Sequence, residues 1–81
     1  MTVRVLFFSL LRDITGADEI VLECGANDDV TALLGTVYSR WPRLRDWDAS
    51  LLIAMDQTYV KRDIRLHHDA EIAIMPPVQG G

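Results

Sequence analysis

Residues 2–9 read TVRVLFFS. The stretch is rich in β-branched and aromatic residues, and it alternates. Val3, Val5 and Phe7 fall on one face; Arg4, Leu6 and Phe8 fall on the other. The pattern is that of a strand, but the second face is apolar too, at Leu6 and Phe8. Such a strand suits a sheet whose first face is covered and whose second is open. Open apolar area on a small domain marks a binding surface. What the rest of the chain offers to cover the sheet therefore decides the fold.

It offers one helix. Val30, Leu33, Leu34, Val37 and Trp41 recur at i, i+3, i+4, i+7 and i+11, a single apolar stripe. Asn27, Asp28 or Asp29 supplies the cap, with carboxylates at the positive end of the helix. Pro42 ends it, because proline disfavours a helical residue before it. Residues 10–16, LLRDITG, fit one helical turn closed by Gly16 in the left-handed region. Residues 18–24 read as a second strand. Residues 43–50 form a connector with a helical turn around Leu44 and Trp47. Residues 51–56 are a third strand and 57–60 a tight turn into a short fourth one. Residues 61–70 are polar and turn-rich, and 71–75 are the last strand, stopped by Pro76. The order is ββαβ(β)β. It predicts an α+β roll with one main helix packed on one face of a mixed sheet.

The bounds agree. Eighty-one residues make one domain. Nearly half are hydrophobic, enough for a core of one sheet and one or two helices. The single Cys24 cannot form an internal disulfide, which fits a reducing cytosol and a cytoplasmic location. No stretch reaches the roughly 18 apolar residues of a membrane span, and the N-terminus lacks a signal-peptide cleavage pattern. A formal net charge of -4 disfavours nucleic acid, which is held by Lys and Arg. It suits a basic protein partner.

The chain then stops at MPPVQGG, residues 75–81. The expected division is a domain over 1–75 and a flexible Gly-Gly tail over 76–81. The one functional group at its end is the α-carboxylate of Gly81. A carboxylate is a poor electrophile until activated, for instance by adenylation with ATP. It then accepts an amine, a thiol or a persulfide. Gly80 and Gly81 have no Cβ, so such a tail can enter a narrow channel. Pro76 and Pro77 favour an extended path. Six residues at roughly 3.3 Å each reach about 20 Å from the domain.

Three segments carry a family resemblance: VLFFSLLRDITG (5–16), LLIAMDQTYV (51–60) and DAEIAIMPPVQGG (69–81). The chain resembles the small subunits of molybdopterin synthase, ubiquitin-like β-grasp sulfur carriers, over nearly its whole length. The ending Pro76-Pro77-Val78-Gln79-Gly80-Gly81 is the most specific part. The resemblance implies that an adenylating enzyme activates Gly81 with ATP and that a sulfurtransferase persulfide converts it to a thiocarboxylate. The tail then enters the synthase large subunit, and sulfur passes to cyclic pyranopterin monophosphate. It implies a heterotetramer of two large and two small subunits, no bound cofactor or metal, and no turnover by the small subunit alone. It also implies a docking surface at Phe8, Tyr59 and Met75, with Leu6 joining by strand parity, Arg12 beside them, and Pro76, Pro77 and Val78 leading into the tail. Met75 stands where the family often has an aromatic residue, and Asp56 where it often has asparagine.

Other features read as structural. His67-His68-Asp69 is a solvated turn, since adjacent residues of an extended segment point opposite ways and chelate poorly. Cys24 is a strand-end thiol with nothing nearby in sequence to activate it. Arg40, Arg43 and Arg45, interleaved with Trp41 and Trp47, are the polar side of a helix end balanced by Asp46 and Asp48. Three rival functions share the sequence: a sulfur carrier for thiamine, cysteine or tRNA thiolation, a protein modifier joined to lysines through Gly81, and an interaction module with an inert tail.

Overall fold

The computed structural model describes residues 1–77. In chain order the elements are β1 (Thr2–Phe7), α1 (Leu10–Thr15), β2 (Glu19–Glu23), α2 (Val30–Arg40), a 3-10 helix (Pro42–Ser50), β3 (Leu52–Met55), β4 (Thr58–Tyr59) and β5 (Glu71–Met75). They build one five-stranded sheet in the order β2-β1-β5-β3-β4. β1 and β5 run parallel at its centre, and the other neighbours are antiparallel. The α+β roll expected from the alternating strands and the single stripe is the architecture found.

The core forms where the inward face of the sheet meets α2. Val3, Val5 and Phe7 of β1 join Ile53, Ile72 and Ile74, and against them pack Val30, Leu33, Leu34 and Val37. Trp41, counted in the stripe, lies just past the helix as its C-cap, with φ -131°. It still serves the core, edge-on to Phe7 with ring centroids 5.4 Å apart. Tyr38 is also buried and lies outside the expected stripe.

Of the three candidate caps, Asp29 holds α2: its Oδ1 accepts from the Ala32 amide at 2.9 Å. Asp28 instead accepts from the Gly25 amide at 2.8 Å and shapes the turn before it. Asp29→Ala leaves that first-turn amide without its acceptor. The expected loss is about 1 kcal/mol of unfolding free energy, read from denaturant midpoints.

Several boundaries differ from the sequence reading, the least at β2, which covers Glu19–Glu23 rather than 18–24. β1 ends at Phe7, not residue 9, because Ser9 takes φ 53° and swings the chain into α1. The third strand covers 52–55 rather than 51–56: Asp56 and Gln57 take φ 51° and 71°, the two positive angles of a two-residue hairpin turn. The connector after α2 is a nine-residue 3-10 helix rather than one turn, opened by Pro42 at a position that needs no amide donor. Gly16 closes α1 in the left-handed region as expected, at φ 73°.

The polar segment 61–70 is tied down at several points. The Ile64 carbonyl accepts from Val30 N–H, Arg62 O accepts from both Thr31 N–H and Oγ1–H, and Thr2 O accepts from Asp69 N–H. The Asp48 carboxylate accepts from the Tyr38 hydroxyl and from Arg62, the latter at 2.6 Å. The Tyr38 hydrogen bond, then Arg62, holds the Asp48 carboxyl below its usual range. Burial, and then the bond to Asp48, pushes the Tyr38 hydroxyl up. This cluster fastens the 3-10 helix to α2 and to the segment before β5. Arg40 stacks over Trp41 at 4.5 Å and Arg45 over Tyr38 at 5.8 Å, so two of the three arginines lie on aromatic rings.

Candidate functional site

Strand registers turn the open sheet face into rows. Leu6 is beside Ala73, Ala73 beside Ala54, and Ala54 beside Tyr59, so these four residues cross four strands in one line. The next line toward the end of β5 pairs Met75 with Leu52. Phe8 follows β1 just past the ladder and lines a hollow together with Met75. The face is therefore apolar at the end where β5 runs into Pro76 and Pro77. Phe8 is 42% exposed, Leu52 37% and Tyr59 68%, far above the core residues on the other side of the same strands.

The opposite end is charged. Arg4 pairs in register with Val21 and Glu71, and its guanidinium lies 3.7 Å from both the Glu19 and the Glu71 carboxylates. Arg12 of α1 lies instead beside the apolar rows, 3.6 Å from Asp18, and shares a small depression with Leu6, Phe8 and Glu19.

Five residues named from the sequence, Leu6, Phe8, Tyr59, Met75 and Arg12, are thus brought to one region. Pro76 and Pro77 border it. A hollow of about 480 Å³ opens there between Phe8, Ser9, Leu10, Trp47, Met75 and the two prolines. Leu52, Ala54 and Ala73 complete the floor and were not named from the sequence. Alternation within LLIAM could have shown that Leu52 and Ala54 share a face, but not which face. Val78, Gln79, Gly80 and Gly81, the named reactive end, lie outside the described residues. So does the tail beyond Pro77.

The hairpin at Asp56 carries a second constellation. Asp56 Oδ2 lies 2.5 Å from His67 Nε2, and its Oδ1 accepts from the Glu71 amide at 3.0 Å. The aspartate found where the resemblance implies asparagine therefore has its own partner. The Glu71 amide bond, then the His67 bond, lowers the Asp56 carboxyl, and the Asp56 bond raises the His67 imidazole. His67 titrates higher folded than unfolded. Its contribution is complete below the ordinary imidazole value and is lost as pH rises through the raised one. Asp56 runs the other way: its contribution is complete above the ordinary carboxylate value and is lost as pH falls through the lowered one. The pair is fully formed between those limits. Asp56→Asn is expected to move the His67 midpoint down in an NMR pH titration; an unmoved midpoint would mean the two side chains do not pair in solution.

Burial, the largest cause, pushes the Cys24 thiol up, which disfavours the thiolate. Among the described residues no three His, Cys, Asp or Glu side chains converge to hold a metal ion. No helix of the described residues is long and apolar enough to cross a membrane.

A sheet with parallel first and last strands, the main helix across its inner face and an apolar open face beside Pro76 and Pro77 defines the ubiquitin-like β-grasp class. The chain spans the full length of the small archaeal modifier protein SAMP1 from Haloferax volcanii and superposes on it with a TM-score of 0.87 at 18% identity, with both chains wholly covered. A chain of the protein-protein complex of subunits 1 and 2 of the molybdopterin-converting factor from Helicobacter pylori also matches, with a TM-score of 0.70 and 22% identity over both complete chains.

Within that class the chain belongs to the ThiS family, whose model matches residues 5–81. It is 32% identical to the molybdopterin synthase sulfur carrier subunit of Escherichia coli strain K12, over 98% of this chain and 99% of that one.

Proposed function

We propose that this chain is a sulfur carrier subunit of a molybdopterin synthase. One observation carries the reading: full-length similarity to the Escherichia coli carrier subunit, within a family match that runs through Gly80 and Gly81. The Helicobacter pylori likeness, taken from a complex of two subunits, supports a large subunit as the partner. The apolar open face fits that role, because it borders the root of the tail.

In this reading an adenylating enzyme joins the Gly81 carboxylate to AMP and releases pyrophosphate from ATP. A persulfide from a sulfurtransferase displaces AMP to give an acyl disulfide, and a second thiol attacks the sulfurtransferase sulfur, leaving the thiocarboxylate on Gly81 and a disulfide between the two thiols. The tail then enters the large subunit and its sulfur passes to cyclic pyranopterin monophosphate. Phe8, Leu6, Tyr59 and Met75 supply apolar contact, Met75 adapting its shape to the partner. Arg12 lies at the rim, and Pro76, Pro77 and Val78 lead from the sheet to the reactive end. The chain carries the sulfur and has no turnover alone. Its working compartment in this reading is the cytoplasm, where ATP is at hand.

The test is intact mass after incubation with ATP, the adenylating enzyme and a sulfur donor. Exchange of one oxygen for sulfur is expected. Adding the large subunit and the pyranopterin precursor should then return the mass to its starting value. No gain with a competent activating enzyme overturns the carrier reading. Gain followed by conjugates on lysine amines, with no transfer to the precursor, would favour a modifier.

A further inference from the structure

The outer edge of the sheet carries a further exposed apolar residue. Val21, at the middle of β2, is 62% exposed and lies in register with Arg4, in the charged row next to that of Leu6. It sits on the outermost strand of the sheet. The other border strand, β4, has two residues; β2 has five.

The ladder fixes which way the β2 main chain faces. Met1 and Cys24 exchange main-chain hydrogen bonds, with Cys24 N–H donating to Met1 O at 2.7 Å and the Met1 amino group to Cys24 O at 2.9 Å. At the far end Phe7 N–H donates to Asp18 O at 2.9 Å. Bonded pairs alternate along an antiparallel ladder, so Leu22 and Ile20 bond to Val3 and Val5 between those ends. The amides and carbonyls of Glu19, Val21 and Glu23 point outward from the sheet. Their side chains share the open face in the order acid, valine, acid, and all three are exposed.

We infer that this free edge is a docking site for an extended basic segment of a partner protein, added as a sixth strand beside β2. Main-chain bonds to Glu19, Val21 and Glu23 supply the pairing, and side chains facing the open side supply selectivity. The complementary pattern is basic, any, apolar, any, basic, with the apolar residue opposite Val21. Charge decides against a second copy of the chain. Antiparallel pairing of two β2 strands centred on Val21 sets Glu19 opposite Glu23 twice, and like charges directly opposite destabilise a sheet. Arg4 lies 3.7 Å from Glu19, while among the described residues no ion pair engages Glu23. The inference rests on the edge alone and does not depend on sulfur transfer.

The experiment is an amide NMR titration of the full chain with the peptide Thr-Lys-Thr-Val-Thr-Lys-Thr and with the same peptide carrying Glu for Lys. The expected result is shift changes and slowed exchange at Glu19, Val21 and Glu23, weakening with salt as charge is screened, and at least about tenfold weaker binding of the acidic peptide. The double variant Glu19→Lys, Glu23→Lys should reverse that order. Val21→Pro removes an outward amide without touching the β1 ladder, and it should cut binding of the basic peptide at least about tenfold. No binding at millimolar peptide, equal binding of both peptides, shifts confined to Leu6, Tyr59 and Met75, or concentration-dependent shifts of the edge without peptide would each overturn the inference.

Discussion

Deleting Gly81 abolishes the sulfur-dependent mass gain and leaves the thermal midpoint where it was. The two halves of this expected result come from different links of the chain from sequence to function. Stability resides in the sheet and core: β5 is held between β1 and β3 over Glu71–Met75, and Ile72 and Ile74 are fully buried. Gly81 comes six residues after that strand. In the proposed function the chemistry resides in one carboxylate, that of Gly81. Deletion moves the carboxylate onto Gly80 and withdraws it by about 3.3 Å, one extended residue. A misplacement of about 1 Å already costs on the order of a hundredfold in a positioned reaction. Gly81→Ala separates length from shape. It keeps the carboxylate in place but adds a Cβ, and it should load at least about tenfold more slowly if the receiving channel is narrow. Loading of the deletion variant at the parent rate would remove Gly81 as the required site of sulfur loading.

Phe7 and Phe8 are neighbours in sequence with opposite expected consequences. Phe7 is 2% exposed and packs edge-on against Trp41 within the cluster of β1 and α2. Phe7→Ala removes a ring from a closed core and should cost about 3–5 kcal/mol, through lost transfer energy and the cavity left behind. A domain of this size holds only about 4–12 kcal/mol in total. The midpoint should therefore fall by at least about 12 °C, measured by circular dichroism or calorimetry. Phe8, half in solvent beside Met75 and Pro76, makes little of the core. Phe8→Ala should shift stability by no more than about 0.5 kcal/mol. Its effect belongs instead to association: binding of the large subunit should weaken at least about tenfold, as for an aromatic anchor at an interface. Equal stability loss for both variants would contradict the two-faced reading of β1. Unchanged association of the Phe8 variant would remove that residue from the docking surface.

Much of this architecture is legible in the amino-acid sequence. β1 announces itself by alternation, α2 by its stripe and a cap among Asn27, Asp28 and Asp29, and the breaks by Gly16, Pro42 and Pro76. All are short-range signals, since backbone periodicity and steric limits act over a few residues. The open face is also legible in outline, because Leu6 and Phe8 are apolar on the strand face opposite Val3, Val5 and Phe7. Strand ends are less so. Ser9 and Asp56 adopt positive φ without being glycine, and no local pattern marks them.

The sequence alone determined which residues of β1 alternate, which residues form the helix stripe, and that two prolines stand between the last strand and Gly80-Gly81. Only the tertiary structure decided which of those residues meet. The parallel pairing of β1 with β5 sets Leu6 beside Ala73 and brings the apolar rows to the root of the tail. The same register leaves Glu19, Val21 and Glu23 on an outer edge. His67 reaches Asp56 from 11 positions away, and Arg62 reaches Asp48 from 14. Periodicity fixes a side chain's face within its own element. Its neighbours across the sheet follow from register, and register is set jointly by the burial of all the strands and by the turns that join them.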